Sequence, residues 1–204
     1  MGYLVAILTG YLLGCSNMAL YLEKCTKKSI RGGGSGNLGA SNALARLGWK
    51  AGVLVGLHDI GKAMLAVYLG KWLFPGLEYG AVTAGVACVL GHIFPFYLRF
   101  KGGKGFASFV GMIFALDWSI ALVIIAALIL VSLITDLIVA GTLTTVISAP
   151  IALGLHSRQW LLALLLVVAS LVILHRHRDN FRRIFVTGGE IGIRSGFKGE
   201  HRAK

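Results

Sequence analysis

The sequence predicts an all-α, polytopic membrane protein with seven transmembrane helices, its N-terminus outside and its C-terminus cytoplasmic. Three observations carry that expectation. Of 204 residues, 56% are hydrophobic and 14% charged, and mean hydropathy is +0.79; ordinary soluble domains carry about 25% charged residues. The apolar residues gather in runs of bilayer length. The basic residues fall between those runs in a pattern that sets orientation. The net charge of +12 therefore reads as topology and as attraction for an anionic substrate or lipid surface, with no nucleic acid implied. The length suits one domain, residues 1–204.

The first run, residues 3–22, spans ~30 Å as a helix, one hydrocarbon core. It lacks a basic start and a cleavage site, so it reads as a retained helix rather than a signal peptide. Runs 51–74, 80–100, 137–155 and 160–174 follow. Run 106–135 would be ~45 Å long as one helix, too long for ~30 Å of hydrocarbon, and it reads as two helices turning at Asp117-Trp118. Charge supports the split. Basic residues lie between the first two runs (Lys24, Lys27, Lys28, Arg31, Arg46, Lys50) and after the third (Arg99, Lys101, Lys104). The remaining large group lies after the last run (Arg176, Arg178, Arg182, Arg183, Arg194, Lys198, Arg202, Lys204). Seven spans put these 17 of the 20 Lys and Arg on one side, whereas six would send the C-terminal group across the membrane, against the positive-inside tendency. Cys15, Cys25 and Cys88 form no disulfide framework.

This topology gathers three segments on the cytoplasmic face. Residues 31–46 hold Gly34, Ser35, Gly36, Asn37, Gly39, Ser41 and Asn42 between Arg31 and Arg46. Glycines let a ligand approach the backbone, and the hydroxyl and amide side chains add neutral donors, so the segment can present a nest of N–H groups to a phosphate. Ser41 or Asn42 would cap the following helix. A flexible linker is the competing reading. Residues 91–108 hold His92 and Lys101-Gly102-Gly103-Lys104-Gly105 ahead of an apolar helix, a second anion cradle or a snorkelling basic cap. The Walker A ending and spacing are missing, which argues against nucleotide hydrolysis. His92 is either a hydrogen-bonded packing residue or a site member.

Residues 175–190 interleave His177 and Asn180 with arginines, and a stop-transfer basic patch explains the arginines but not those two. They share a face at i, i+3 if the helix continues. Inside the second run, Asp59 lies ~12 Å along the helix from Ala51, a depth at which charge is functional or paired. Asp59 and Lys62 share a face, as catalytic groups or as an ion pair orienting the first loop; His58 adjoins them. No Cys/His metal set appears, and the His-x4-Asp pair of a common acyltransferase class is absent. Taken together, the residues point to chemistry on phosphate groups with a lipid partner.

The runs Gly34-Ser-Gly-Asn-Leu-Gly-Ala-Ser-Asn42, Gly91-His … Pro95 … Phe100-Lys-Gly-Gly-Lys-Gly105 and Arg176-His-Arg-Asp-Asn180 … Arg183 … Gly188 … Glu190 resemble, in order and over nearly the whole chain, the three cytoplasmic motifs of the bacterial acyl-phosphate:glycerol-3-phosphate acyltransferases (PlsY type). The resemblance implies a seven-helix enzyme of the bacterial cytoplasmic (inner) membrane, with its active site facing the cytoplasm. It would move a fatty acyl group from acyl phosphate to the 1-hydroxyl of glycerol 3-phosphate, giving lysophosphatidic acid and phosphate, with no cofactor and no metal. Ser35, Lys104, His177 and Asn180 match catalytic positions of that family. Gly102, Gly103 and Gly105 match its phosphate loop and Gly36, Asn37 and Gly39 its first loop; with Gly34, Asn42, Arg46 and Lys101 they are the expected substrate- and phosphate-binding residues, and Asp59, Lys62 and His92 would support them. The family's first-motif arginine usually stands where Ala45 is; here Arg46 follows, rotated by ~100° on a helix. Thr is common at Ser41, and a bulkier residue at Gly189. A paralogue with another acceptor, or a transporter or binder of phosphorylated solutes, is the competing function; a transporter would place its binding groups near the midplane in broken helices.

Overall fold

The computed structural model describes residues 1–184, and the regular elements among them are all helical. Glycine and asparagine punctuation sets the first elements. The run expected as one helix breaks into α1 (Gly2–Cys15) and α2 (Met18–Thr26). Buried Asn17 is extended and its side chain accepts from Leu20 N at 3.0 Å, starting a new helix. The carbonyls freed at the break are used: Tyr97 Oη donates to Cys15 O at 2.5 Å and Lys62 Nζ to Ser16 O at 2.8 Å. Next come α3 (Ala40–Leu47) and α4 (Trp49–Leu73). Gly39 begins α3 without a side-chain cap, so neither Ser41 nor Asn42 is the cap the sequence suggested.

In α5 (Gly80–Ile93) the helix stops before Pro95, short of the end of its apolar run, and a 3₁₀ turn at Phe96–Leu98 follows. The long apolar run divides as expected into α6 (Phe106–Leu116) and α7 (Trp118–Thr135). The chain continues through α8 (Ile138–Ser157) to α9 (Trp160–Arg182). The spans long and apolar enough for a bilayer number six among the described residues: Gly2–Thr26 taken across its break, Trp49–Leu73, Gly80–Leu98, Trp118–Thr135, Ile138–Ser157 and Trp160–Arg182. Helix α6 is apolar, but its 11 residues reach only ~16 Å.

Contacts gather the chain into two units, Met1–Leu116 and Asp117–Lys204. In the first, α1 and α5 pack backbone to backbone. A Cβ on Gly10 would overlap Ala84 O, one on Gly14 would overlap Cys88 O, and one on Gly91 would overlap Tyr11 O. Small residues permit this approach where hydrocarbon gives no hydrophobic drive. Close packing here holds the α1–α2 break against the end of α5, where the second polar segment begins. All three cysteines are free.

In the second unit, α7 and α8 pack together and α8 packs on α9. Asp117 caps α7: Ile120 N donates to Oδ1 at 2.9 Å and Ser119 Oγ at 2.7 Å, with His156 Nε2 3.5 Å from Oδ2. The Ile120 amide, the Ser119 hydroxyl and then His156 hold this carboxyl below the usual Asp value. A depressed folded pKa contributes stability above the unfolded value, near 3.9, which is lost as pH falls through the folded one. Protection of the Ile120 amide, the intrinsic exchange rate at each pH relative to the observed one, should therefore fall below about pH 4. Asp117→Ala should remove that pH dependence; an unchanged acid response in the variant would exclude Asp117 as its source.

Candidate active site

The first glycine segment is an organised loop. Asn42 is buried in the first turn of α3, and its amide faces back into the loop. Its Nδ2 donates to Ile30 O at 2.8 Å and to Asn37 O at 3.0 Å, and its Oδ1 accepts from Ser35 N at 3.1 Å. Gly34 has φ +60°, and a Cβ there would overlap Asn42 Oδ1, so this position needs glycine on both counts. A linker makes no such set of bonds. Arg46 follows the shifted register, yet its guanidinium still lies on the loop, packed against Gly33, with Nε donating to Ser29 O at 3.4 Å. Ser35, Gly36, Ser41 and Arg46 are exposed, while Asn37 and Gly39 are half-buried.

A residue that composition and motif reading passed over starts this loop. One oxygen of Glu23, Oε1, accepts from Ser29 Oγ at 3.1 Å, from Arg31 N at 2.9 Å and from Ile30 N. A lone acid among basic residues gave no signal in the sequence. The nearest available hint was that turn amides seven or eight residues past a helical Glu need an acceptor.

The second segment folds back onto the end of α5. Gly102 N donates to Ile93 O at 3.0 Å and Gly103 N to His92 O at 3.1 Å. Arg31 Nη2 donates to Lys101 O at 3.0 Å, joining the first loop to the second. Lys101 is exposed and Lys104 half-buried, between buried Gly103 and Gly105. Arg99 and Phe100 both take left-handed backbone, with φ +52° and +59°. Two consecutive non-glycine residues there are costly and mark a segment fixed by its surroundings.

Below this loop lies a buried polar cluster. Asp59, Lys62 and His92 are 2%, 6% and 3% exposed. Lys62 Nζ reaches Asp59 Oδ1, Ser16 O and His92 Nδ1, each at 2.8 Å, while His92 Nδ1 is 3.3 Å from Asp59 Oδ1. His58 Nδ1 is 3.5 Å from the same carboxylate oxygen, and its Nε2 is 2.9 Å from Ser16 Oγ. An ammonium group only donates, so His92 Nδ1 accepts and its proton sits on Nε2. That ring edge lies on Gly103, where a Cβ would overlap Nε2. The pair that the sequence offered as an orienter of the first loop thus reaches the second, with His92 as the intermediary.

In the second unit, α9 continues far enough to carry His177 and Asn180 on one face, as expected. His177 is buried, with Nδ1 2.8 Å from Ile173 O. A carbonyl only accepts, so Nδ1 carries the proton and Nε2 is the basic nitrogen of the neutral ring. Arg178 sits 3.3 Å from His175 Nε2 and 3.9 Å from Asp179, at the surface. Gly188, Gly189 and Glu190 lie outside the described residues, as do Arg194, Lys198, Arg202 and Lys204. Among the described residues no cluster of His, Cys, Asp and Glu could hold a metal ion.

A glycerol-3-phosphate acyltransferase family model matches residues 4–187. A glycerol-3-phosphate acyltransferase of Oceanobacillus iheyensis is 36% identical over 196 residues, covering 90% of this chain and 92% of that protein. One from Pseudomonas entomophila is 39% identical over 181 residues, covering 87% and 93%. The crystal structure of PlsY (YgiH), an integral membrane glycerol 3-phosphate acyltransferase, in its glycerol 3-phosphate form superposes with a TM-score of 0.85 at 30% identity. The match covers 92% of this chain and 94% of that one. The lysophosphatidic acid form of PlsY superposes with a TM-score of 0.79. With a family model matching residues 4–187 and relatives above 30% identity over most of its length, this chain belongs to the glycerol-3-phosphate acyltransferase family, as a multi-pass integral membrane protein of the PlsY type.

Proposed function

We propose that this membrane acyltransferase takes its acyl group from acyl phosphate and places it on the 1-hydroxyl of glycerol 3-phosphate. The products are lysophosphatidic acid and inorganic phosphate. The observation that carries the reading is the Arg31–Lys101 contact, which brings two glycine-rich, cation-bearing loops together at one end of the first unit. Two loops suit two phosphate-bearing substrates. The donor is an activated mixed anhydride, so the protein's work is to hold two anions together against their repulsion and to orient the hydroxyl.

Each residue then has a task. Gly102, Gly103 and Gly105 bring backbone amides to a phosphate, Lys101 and Lys104 add charge, and Lys104 stabilises the leaving phosphate as the carbonyl is attacked. Ser35, Gly34, Gly36, Asn37, Gly39, Asn42 and Arg46 form the other cradle. Asn180 orients the acceptor hydroxyl, and His177 Nε2 takes its proton as the ester C–O bond forms. The C–O bond to phosphate breaks, and the proton leaves with the phosphate. No covalent enzyme intermediate, metal or cofactor is required. Asp59, Lys62 and His92 support the second loop.

The chain acts as one domain over residues 1–204 with seven spans, the short α6 among them. Its N-terminus is outside, and its C-terminus and active site face the cytoplasm, in a bacterial inner membrane. Purified protein in detergent or nanodiscs should form lysophosphatidic acid from the two substrates, identified by mass spectrometry. Lys104→Ala and His177→Ala should each lower kcat/KM by about 100-fold or more. No product beside an active family member would overturn the reaction, and full activity of both variants would overturn the site.

A further inference from the structure

We infer that Glu23 and Arg31 form a strut that sets the spacing between the two loops, acting as positioning residues for the transfer. Glu23 lies on α2 and is half-buried; Arg31 is exposed at the start of the first loop. Three donors, Ser29 Oγ and the amides of Ile30 and Arg31, converge on one oxygen of Glu23. A convergent set of backbone N–H groups is what an anion would otherwise seek. Here the chain's own carboxylate fills the nest, so these amides are closed to substrate phosphate and committed to structure.

The turn so fixed is a junction. Ile30 is fully buried, and its carbonyl accepts from Asn42 Nδ2 at 2.8 Å, which ties the turn to α3. From the same turn the Arg31 side chain crosses to Lys101 O at 3.0 Å. The path runs from α2 through Glu23, through the 29–31 turn and the Arg31 guanidinium, to the backbone that precedes Gly102 and Gly103. Among the described residues, the Glu23 carboxylate has amides and a hydroxyl as partners rather than a cation. The three neutral donors leave the carboxylate its charge but hold it on the 29–31 turn. Its presence is explained by anchoring.

The inference rests on the reading that each loop holds one of the reacting anions. If so, the strut controls the distance between bound substrates rather than the affinity of either, and its loss falls on kcat. A misplacement on the order of 1 Å can cost about 100-fold in rate. The test measures kcat and both KM values in nanodiscs for Arg31→Ala, Arg31→Lys, Glu23→Ala, Glu23→Gln and the double Glu23→Ala/Arg31→Ala, beside Lys104→Ala. Arg31→Ala and Glu23→Ala should each lower kcat by about 10- to 100-fold, with both KM values within about threefold of the parent. Glu23→Gln keeps an acceptor oxygen and should retain at least about a third of kcat. Arg31→Lys, with a donor but no fork, should fall between parent and Arg31→Ala. The double variant should lie within about threefold of the worse single, because both act through one path.

A KM rise above about tenfold with kcat unchanged would make Arg31 a substrate ligand and overturn the strut. Multiplicative losses in the double variant, or a Glu23→Gln as poor as Glu23→Ala, would overturn it as well. Lys104→Ala separates the two readings. If that variant is inactive while the Arg31 and Glu23 series matches the parent, the strut alone fails. If it is fully active, the site reading fails and takes the strut with it.

Discussion

Gly103→Ala is expected to reduce kcat/KM by about 1,000-fold or more, among the largest losses from so small a change. The added Cβ would overlap His92 Nε2 and come within 2.6 Å of Cε1 and 2.9 Å of Cδ2. The ring cannot swing aside cheaply. It is 3% exposed, and Lys62 holds Nδ1 at 2.8 Å. The loop must move instead, and with it the amides at Gly102 and Gly103 that bond to Ile93 O and His92 O. Removing the obstruction gives the mechanism its test. His92→Ala should partly rescue Gly103→Ala. It should not rescue Gly102→Ala, whose Cβ would overlap the His92 carbonyl and approach Pro95 Cδ at 2.6 Å, groups that His92→Ala leaves in place. Gly61→Ala on α4 meets nothing within 4 Å and should behave like the parent. Equal rescue of both loop variants, or of neither, would show that the His92 ring is not what Gly103 accommodates.

How much of this was legible beforehand depends on the kind of interaction. Periodicity and charge located the helices and the turn at Asp117, because an N-capping Asp between two apolar runs is a local signal. The same rule, applied to Asn17, would have broken the first run, but the surrounding hydropathy is continuous and hides the cap. The loops announced themselves through glycine, yet their internal order did not. Asn42 serves as an acceptor and donor inside its loop rather than as a helix cap, a choice made by the Ile30 and Asn37 carbonyls, which only the fold brings near. The i, i+3 pairing of Asp59 and Lys62 followed from helix geometry. The third member, His92, is 30 residues from Lys62 and reaches it only because α4 and α5 pack together. Glu23 was invisible for a related reason. Its partners are backbone amides, which every residue carries and no motif records.

Lys62→Met should unfold the protein more readily by about 3–5 kcal/mol, the penalty for leaving one partner of a buried pair charged and uncompensated. Asp59 Oδ1 would lose its closest partner, and Ser16 O and His92 Nδ1 would lose theirs. The double variant Asp59→Asn/Lys62→Met removes both charges and should recover most of that loss, since a neutral site of similar volume costs far less than half an ion pair. Turnover should behave differently. In the double variant no ammonium fixes His92 as the Nε2–H tautomer or holds its ring edge on Gly103, so kcat should stay at least about tenfold below the parent even where folding has recovered. Unfolding in detergent, followed beside product formation, resolves the two quantities. Recovery of stability and turnover together would reduce the cluster to a structural ion pair. Recovery of stability alone would mark it as the device that holds the glycine–lysine loop in register for catalysis, because the one group the double variant does not restore is the donor that orients His92.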